Sequence, residues 1–153
     1  MGCYEEVSNG WFNMINRMTH SLGKTQKKNI TKTIVGMLKR RREIISAYIH
    51  GSFLESHFRD IDVAIYIDAE NENILYELNL ERELEEIVGF PVDVRILNRA
   101  PLSFRFRVIE GGVLLFSKDE KRSCDFESLV MAEHHDFSFH SEIYRRVALG
   151  IEV

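Results

Sequence analysis

His50-Gly51-Ser52-Phe53-Leu54-Glu55-Ser56-His57-Phe58-Arg59-Asp60-Ile61-Asp62-Val63-Ala64-Ile65-Tyr66-Ile67-Asp68 is the stretch on which the fold turns. From Asp60 onward Ile61, Val63, Ile65 and Ile67 alternate with Asp60, Asp62, Ala64, Tyr66 and Asp68. Strand side chains point alternately to opposite faces, so the pattern predicts a strand with one face on a core and Asp60 and Asp62 together on the other. Two residues along a strand span roughly 6.5–7 Å, and carboxylates that close repel unless a cation lies between them. The spacing suits Mg²⁺, which takes a few carboxylates together with phosphate oxygens. Upstream, Ile44-Ile45-Ser46-Ala47-Tyr48-Ile49 reads as another strand, left through Gly51-Ser52. Glycine there lets backbone N–H groups approach an anion, and the serine hydroxyl adds a donor. An Asp-x-Asp pair and a Gly-Ser turn are each common by chance; their order, a phosphate site and then a metal site joined by a strand, carries the reading.

Working outward, Ser52 to Phe58 has room for a helical turn aimed at phosphate, and Arg59 stands beside the carboxylates as either a phosphate contact or a surface residue. The acidic stretch 70–88 carries Ile74, Leu75, Leu78, Leu84, Ile87 and Val88 as a helical stripe, with its glutamates expected on a wet face. Gly89 sits where a helix C-cap belongs, and Pro91 lies just beyond. In the next strand, 91–97, Val92, Val94 and Ile96 fall on one side and Asp93 and Arg95 on the other. If that strand lies beside the second, Asp93 approaches Asp60 and Asp62, where it can accept a proton from an attacking hydroxyl while touching a metal.

The remainder reads as scaffold. Leu102, Phe106 and Ile109 form a short helix between Pro101 and Gly111-Gly112, and Val113 to Phe116 a brief strand. Ser123 is expected to cap a last helix that runs from Phe126 to about Ala148. His134, His135 and His140 lack acidic or thiol partners at ligand spacing and read as structural. Upstream, residues 24–42 carry Lys24, Lys27, Lys28, Lys32, Lys39, Arg40, Arg41 and Arg42 and no acid, around Ile30, Ile34, Met37 and Leu38 at helical spacing. This is an amphipathic helix with a cationic outer face, either a solvated surface or one that steers an acidic partner. Trp11, Ile15, Met18 and Leu22 predict an N-terminal helical extension over residues 1–23, packing on the domain or on a second subunit, ahead of a single domain at 24–153.

The chain has 153 residues, one domain's worth, and a formal net charge of −4. That balance argues against holding long nucleic acid by its phosphates, but not against a nucleotide whose charge a metal offsets. Cys3 and Cys124 form no ligand or disulfide pattern. No stretch is long and apolar enough for a membrane span or a signal peptide, and Glu6 spoils the acylation pattern begun by Met1-Gly2-Cys3, so a cytoplasmic protein is expected.

At Gly51-Ser52, Asp60-Ile61-Asp62 and Asp93 the chain resembles the DNA polymerase β-type nucleotidyltransferases, and especially the minimal members paired as antitoxins with HEPN-domain toxins. The resemblance spans about residues 30–150. It implies an α/β (α+β) fold, a mixed β-sheet flanked by helices like a polymerase palm. It also implies that Gly51 and Ser52 hold the triphosphate of ATP, that Asp60 and Asp62 bind two Mg²⁺ ions, and that Asp93 assists the attacking hydroxyl and joins the metal site. The implied reaction moves AMP from ATP to a tyrosine of a HEPN-domain partner, in a homo- or hetero-oligomer. The chain departs from the family between Ser52 and Asp60: only the seven residues from Phe53 to Arg59 intervene, without the Arg-Gly often found there. Two other readings stay open, a degenerate member that neutralises its partner by binding alone and an enzyme that modifies a small-molecule hydroxyl or an RNA end.

Overall fold

The computed structural model describes residues 19–68 and 75–150. Trp11, Ile15 and Met18 of the expected N-terminal helix lie outside the described residues, as do residues 69–74 at the expected start of the acidic helix. Four strands, β1 (Ile44–His50), β2 (Ile61–Ile67), β3 (Val92–Ile96) and β4 (Val113–Ser117), form one sheet in the order β3-β2-β1-β4. Among the described residues four α-helices accompany them: α1 (Lys24–Lys39), α2 (Leu75–Val88), α3 (Leu102–Gly111) and α4 (Glu120–Ala148). β1 pairs antiparallel with β2 and β4, whereas β2 and β3 run parallel. Parallel neighbours need a crossover, and α2 supplies it. The mixed α+β architecture expected from the sequence is the one observed.

The alternation in β2 sorts the two layers. Ile61, Val63, Ile65 and Ile67 join Ile34 and Leu38 of α1 and Leu80 and Leu84 of α2 in the larger core. On the opposite face Tyr48, Ala64, Leu97 and Val108 form a second cluster, with Phe104 of α3 and Phe126 of α4 packed on it. Tyr66 stacks on Phe126 there, with ring centroids 4.2 Å apart. The even face of β2 is therefore covered along most of its length, and Asp62 lies toward the end that the helices leave open. β1, covered on both sides, is buried from Ile44 to Ile49, which accounts for its nearly continuous apolar run.

Two expectations are corrected. The last helix starts at Glu120: the Asp119 side chain accepts from Arg122 N–H at 3.1 Å, so Asp119 is the cap. Ser123 is instead buried inside the helix, sharing a 2.6 Å hydrogen bond with Ser117 of β4. Starting from the apolar stripe at Phe126 overlooks a first turn that is polar because it faces solvent. The glutamates of α2 are likewise not all on a wet face. The Oε1 atoms of Glu85, Glu81 and Glu77 accept from the N–H groups of Val92 (3.0 Å), Val94 (2.9 Å) and Ile96 (2.8 Å). Four helical residues rise about 6 Å and two strand residues about 6.6 Å, so glutamates every fourth residue match the outward N–H groups of an edge strand. These carboxylates close the β3 edge to further strands. Replacing Glu81 by Ala is expected to lower unfolding stability by about 1–2 kcal/mol, since it leaves the Val94 N–H unpaired. Glu81→Gln, which keeps an acceptor oxygen, should lose less; urea denaturation of both variants checks this.

Candidate active site

β1 ends at His50, and the chain turns through a 3₁₀ segment, Gly51–Leu54. Gly51 has φ +74°, a left-handed conformation that side chains disfavour. A Cβ at Gly51 would also press on the Asp62 carboxylate and force it aside. The turn is pinned from two directions. Lys27 of α1 donates to the carbonyls of Phe53 (2.8 Å) and Glu55, with its ammonium over the rings of Phe53 and Phe58. His20 exchanges backbone hydrogen bonds with Phe58 at 2.7 and 3.0 Å. One lysine of the basic helix thus faces inward as a clamp on the turn.

Strand register then aligns the functional groups. His50 is opposite Asp62 across β1 and β2, and Asp62 is opposite Asp93 across β2 and β3. With strands about 4.8 Å apart, the row crosses roughly 10 Å of sheet. Asp60 lies one residue ahead of β2. The Asp62 carboxyl is pushed up to about 6, first by burial and then by the negative charges of Asp60 and Asp93, against an opposing pull from Arg95. His50 is pushed below the usual imidazole value by burial. Its Nε2 is buried without a hydrogen-bond partner, and its ring meets Phe104 edge-on at 5.4 Å. In the sequence, the one signal for His50 is its place directly before Gly51.

The carboxylates are neighbours without converging. Asp93 Oδ2 lies 3.4 Å from Arg95 Nε, and Asp93 also contacts Glu81, whose carboxyl is raised chiefly by burial and further by Asp93. Among the described residues no three His, Cys, Asp or Glu side chains are arranged as a metal site. The donor chemistry nonetheless suits a hard divalent cation: the acidic residues offer only oxygens, and Asp62 bears an ionisation penalty that a cation would remove. Asp93 would have to leave Arg95 to join them. Ser52 is half-buried in the turn, Arg59 is exposed, and His57 Nδ1 lies 3.1 Å from Ser56 Oγ. Elsewhere the His134 ring stacks flat on Phe106, with ring centroids 3.5 Å apart.

Beside Asp93 a groove of about 610 Å³ runs between β3 and α3, and Asp93, Arg95, Arg99, Pro101, Phe104 and Arg107 are among the residues that line it.

The sequence pattern of the family described as "Polymerase beta, Nucleotidyltransferase" matches residues 32–121. No curated protein sequence matches the chain significantly. Among solved structures, the chain is similar to one from a complex of the toxin–antitoxin MntA-HepT, with TM-score 0.64 and 16% identity, covering 80% of this chain and 98% of that one. It is similar also to one from a complex of tri-AMPylated Shewanella oneidensis HEPN toxin with MNT antitoxin, with TM-score 0.65, 17% identity and the same coverage, 80% and 98%. A toxin–antitoxin structure with AMP-PNP gives TM-score 0.56 at 18% identity, over 80% and 94%.

Proposed function

The chain belongs to the polymerase β nucleotidyltransferase family, and we propose that it is a Mg²⁺-dependent transferase that moves AMP from ATP to a tyrosine hydroxyl of a HEPN-domain partner. The observation that carries the reading is the packing of the half-buried Asp62 carboxylate against Gly51, in register with Asp93. One short span of sheet then offers a backbone cradle for phosphate, a strained carboxylate for a cation and a further carboxylate on the far side. The neighbours support the choice of nucleotide and partner: one was solved with AMP-PNP, and another as a complex whose HEPN toxin carries AMP.

In this reading the Gly51 and Ser52 backbone N–H groups and the Ser52 hydroxyl hold the triphosphate. Asp60 and Asp62, joined by Asp93, would hold the two Mg²⁺ ions, whose chemistry when bound is to neutralise phosphate charge and make the acceptor hydroxyl more acidic. Asp62, fixed by its strand and by Gly51, sets the α-phosphate position relative to the turn, while Asp93 receives the hydroxyl proton. Lys27 keeps the turn in place by holding the Phe53 and Glu55 carbonyls. An antitoxin role would place the protein in the cytoplasm; among the described residues no helix is long and apolar enough to cross a membrane.

The test incubates the chain with Mg²⁺, the HEPN-domain protein encoded beside it and ATP labelled at either the α or the γ phosphate. Label should pass to the partner from the α position only, and Asp60→Ala and Asp62→Ala should abolish it. The separated Asp93 and the short loop favour a second reading, neutralisation by binding alone. That reading wins if both variants still silence the partner and no label moves.

A further inference from the structure

We infer that the outer half of α4 is a dimerisation surface, on which a second copy of this chain lays the same helix antiparallel. The inference is independent of the transferase reading. Phe126, Val130 and His134 lie on one face of α4 and meet the domain: Phe126 packs on the second cluster, Val130 is fully buried and His134 stacks on Phe106. Phe137, Ser141, Tyr144 and Ala148 continue that face at the same spacing of three and four residues, and there it leaves the domain. Phe137 is 64% exposed and Tyr144 76%. Among the described residues, the polar and ring contacts of this stretch stay inside the helix, Arg146 with Glu142 at 2.7 Å and Phe139 with His140. From Phe137 to Ala148 the helix makes about three turns, and so short a length gains little stability without packing. The face that seats α4 on its own domain thus runs on uncovered.

Shape, charge and area select a second copy as the occupant. Large and small residues alternate along the stripe, and Ser141 and Ala148 floor a hollow of about 550 Å³ beside Phe137, Tyr144 and Leu149. An antiparallel twofold pair sets Phe137 over the second copy's Ala148 and Tyr144 over its Ser141, so each ring meets a hollow. A parallel pair would set ring on ring and hollow on hollow. Charge points the same way, since Glu133 and Asp136 stand at the near end of the stretch and Arg145 and Arg146 at its far end. Within the chain Glu133 lies 4.0 Å from Arg105, Asp136 4.0 Å from His135 and Arg146 2.7 Å from Glu142. Antiparallel pairing still brings Arg145 toward the second copy's Asp136 and keeps like ends apart. Aromatic side chains bury about 150–250 Å² each, so at their exposure Phe137 and Tyr144 offer roughly 250–300 Å² per copy. With Ala148, Leu149 and the stems of His140 and Arg145 the stripe reaches roughly 500 Å² per copy. The pair then buries about 1,000 Å², the size at which specific interfaces begin.

The experiment is sedimentation of the full chain across about 1–500 μM, where an interface of this size should show a monomer–dimer equilibrium. Phe137→Glu and Tyr144→Glu should each weaken association at least about tenfold. Phe139→Glu, on the opposite side of the helix, should change it less than about twofold. All three residues are exposed, and circular dichroism checks that the variants keep their helix. Orientation is read by disulfide formation in protein carrying Cys3→Ser and Cys124→Ser. Phe137→Cys mixed with Ala148→Cys should cross-link, and neither should do so alone. Self-linkage of Ala148→Cys contradicts the antiparallel pairing. A chain that is monomeric at every concentration, or association indifferent to Phe137→Glu and Tyr144→Glu, overturns the inference. A monomer whose binding to the HEPN-domain partner is lost in Tyr144→Glu overturns it too, and assigns the face to that partner. None of these outcomes touches the transferase reading, which the labelled-ATP experiment decides alone.

Discussion

Asn in place of Asp62 is expected to lower AMP transfer by a factor on the order of 10³ or more, about 4 kcal/mol of transition-state stabilisation, while making the metal-free protein more stable at pH 7. Both effects have one origin. The carboxyl sits near 6 in the folded chain against an ordinary 3.8, because burial and the charges of Asp60 and Asp93 resist its ionisation. Between those values the folded chain keeps a proton that the unfolded chain gives up, so stability falls as pH rises through this window and the penalty persists above it. Allowing for solvent screening of a half-buried group, the amide should recover about 1–2 kcal/mol at pH 7. The gain should disappear below about pH 4, where both forms of the residue are neutral. Thermal melts of both proteins across pH 3.5–8 read the stability, and labelled transfer reads the activity. A variant that loses activity and stability together would make Asp62 a packing residue.

The second large effect belongs to Gly51. Alanine there should cost about 1–2 kcal/mol from its positive φ and, by driving the Asp62 carboxylate aside, about 100-fold or more in kcat/KM. Gly89 provides the control, since its φ is also positive (+76°) but a Cβ there meets nothing within 4 Å. Gly89→Ala should therefore show a similar loss of stability with activity kept. Equal activity losses in the two variants would remove the close approach of Gly51 to Asp62 as the cause.

What the sequence reveals about this site follows the range of the interaction. The alternation of β2, the Gly51-Ser52 exit from β1 and the Gly89-Pro91 stop after α2 are encoded within a few residues, and each stands where the pattern predicts. The parallel neighbour of β2 was conditional in the sequence, and the strand register settles it by setting Asp93 opposite Asp62. Lys27 bonded to carbonyls 26 and 28 residues away, Glu77, Glu81 and Glu85 capping the β3 edge, and Asp93 held by Arg95 and Glu81 are another matter. Except for the Asp93–Arg95 pair, these depend on which helix lies over which strand, and a charged residue that reaches inward has the same letter as one that faces water. The same limit hid His50, which is legible as part of the site only once β1 and β2 are paired.

The most direct test is calorimetric titration of a non-hydrolysable ATP analogue into the full chain at pH 6, with and without Mg²⁺, in buffers of different ionisation heat. Binding should require Mg²⁺ and release protons, because ionised Asp62 is the form that holds the cation, and Asp62→Asn should abolish both. Nucleotide binding that ignores Mg²⁺, or that survives Asp62→Asn unchanged, would contradict the assignment of this carboxylate and with it the proposed chemistry.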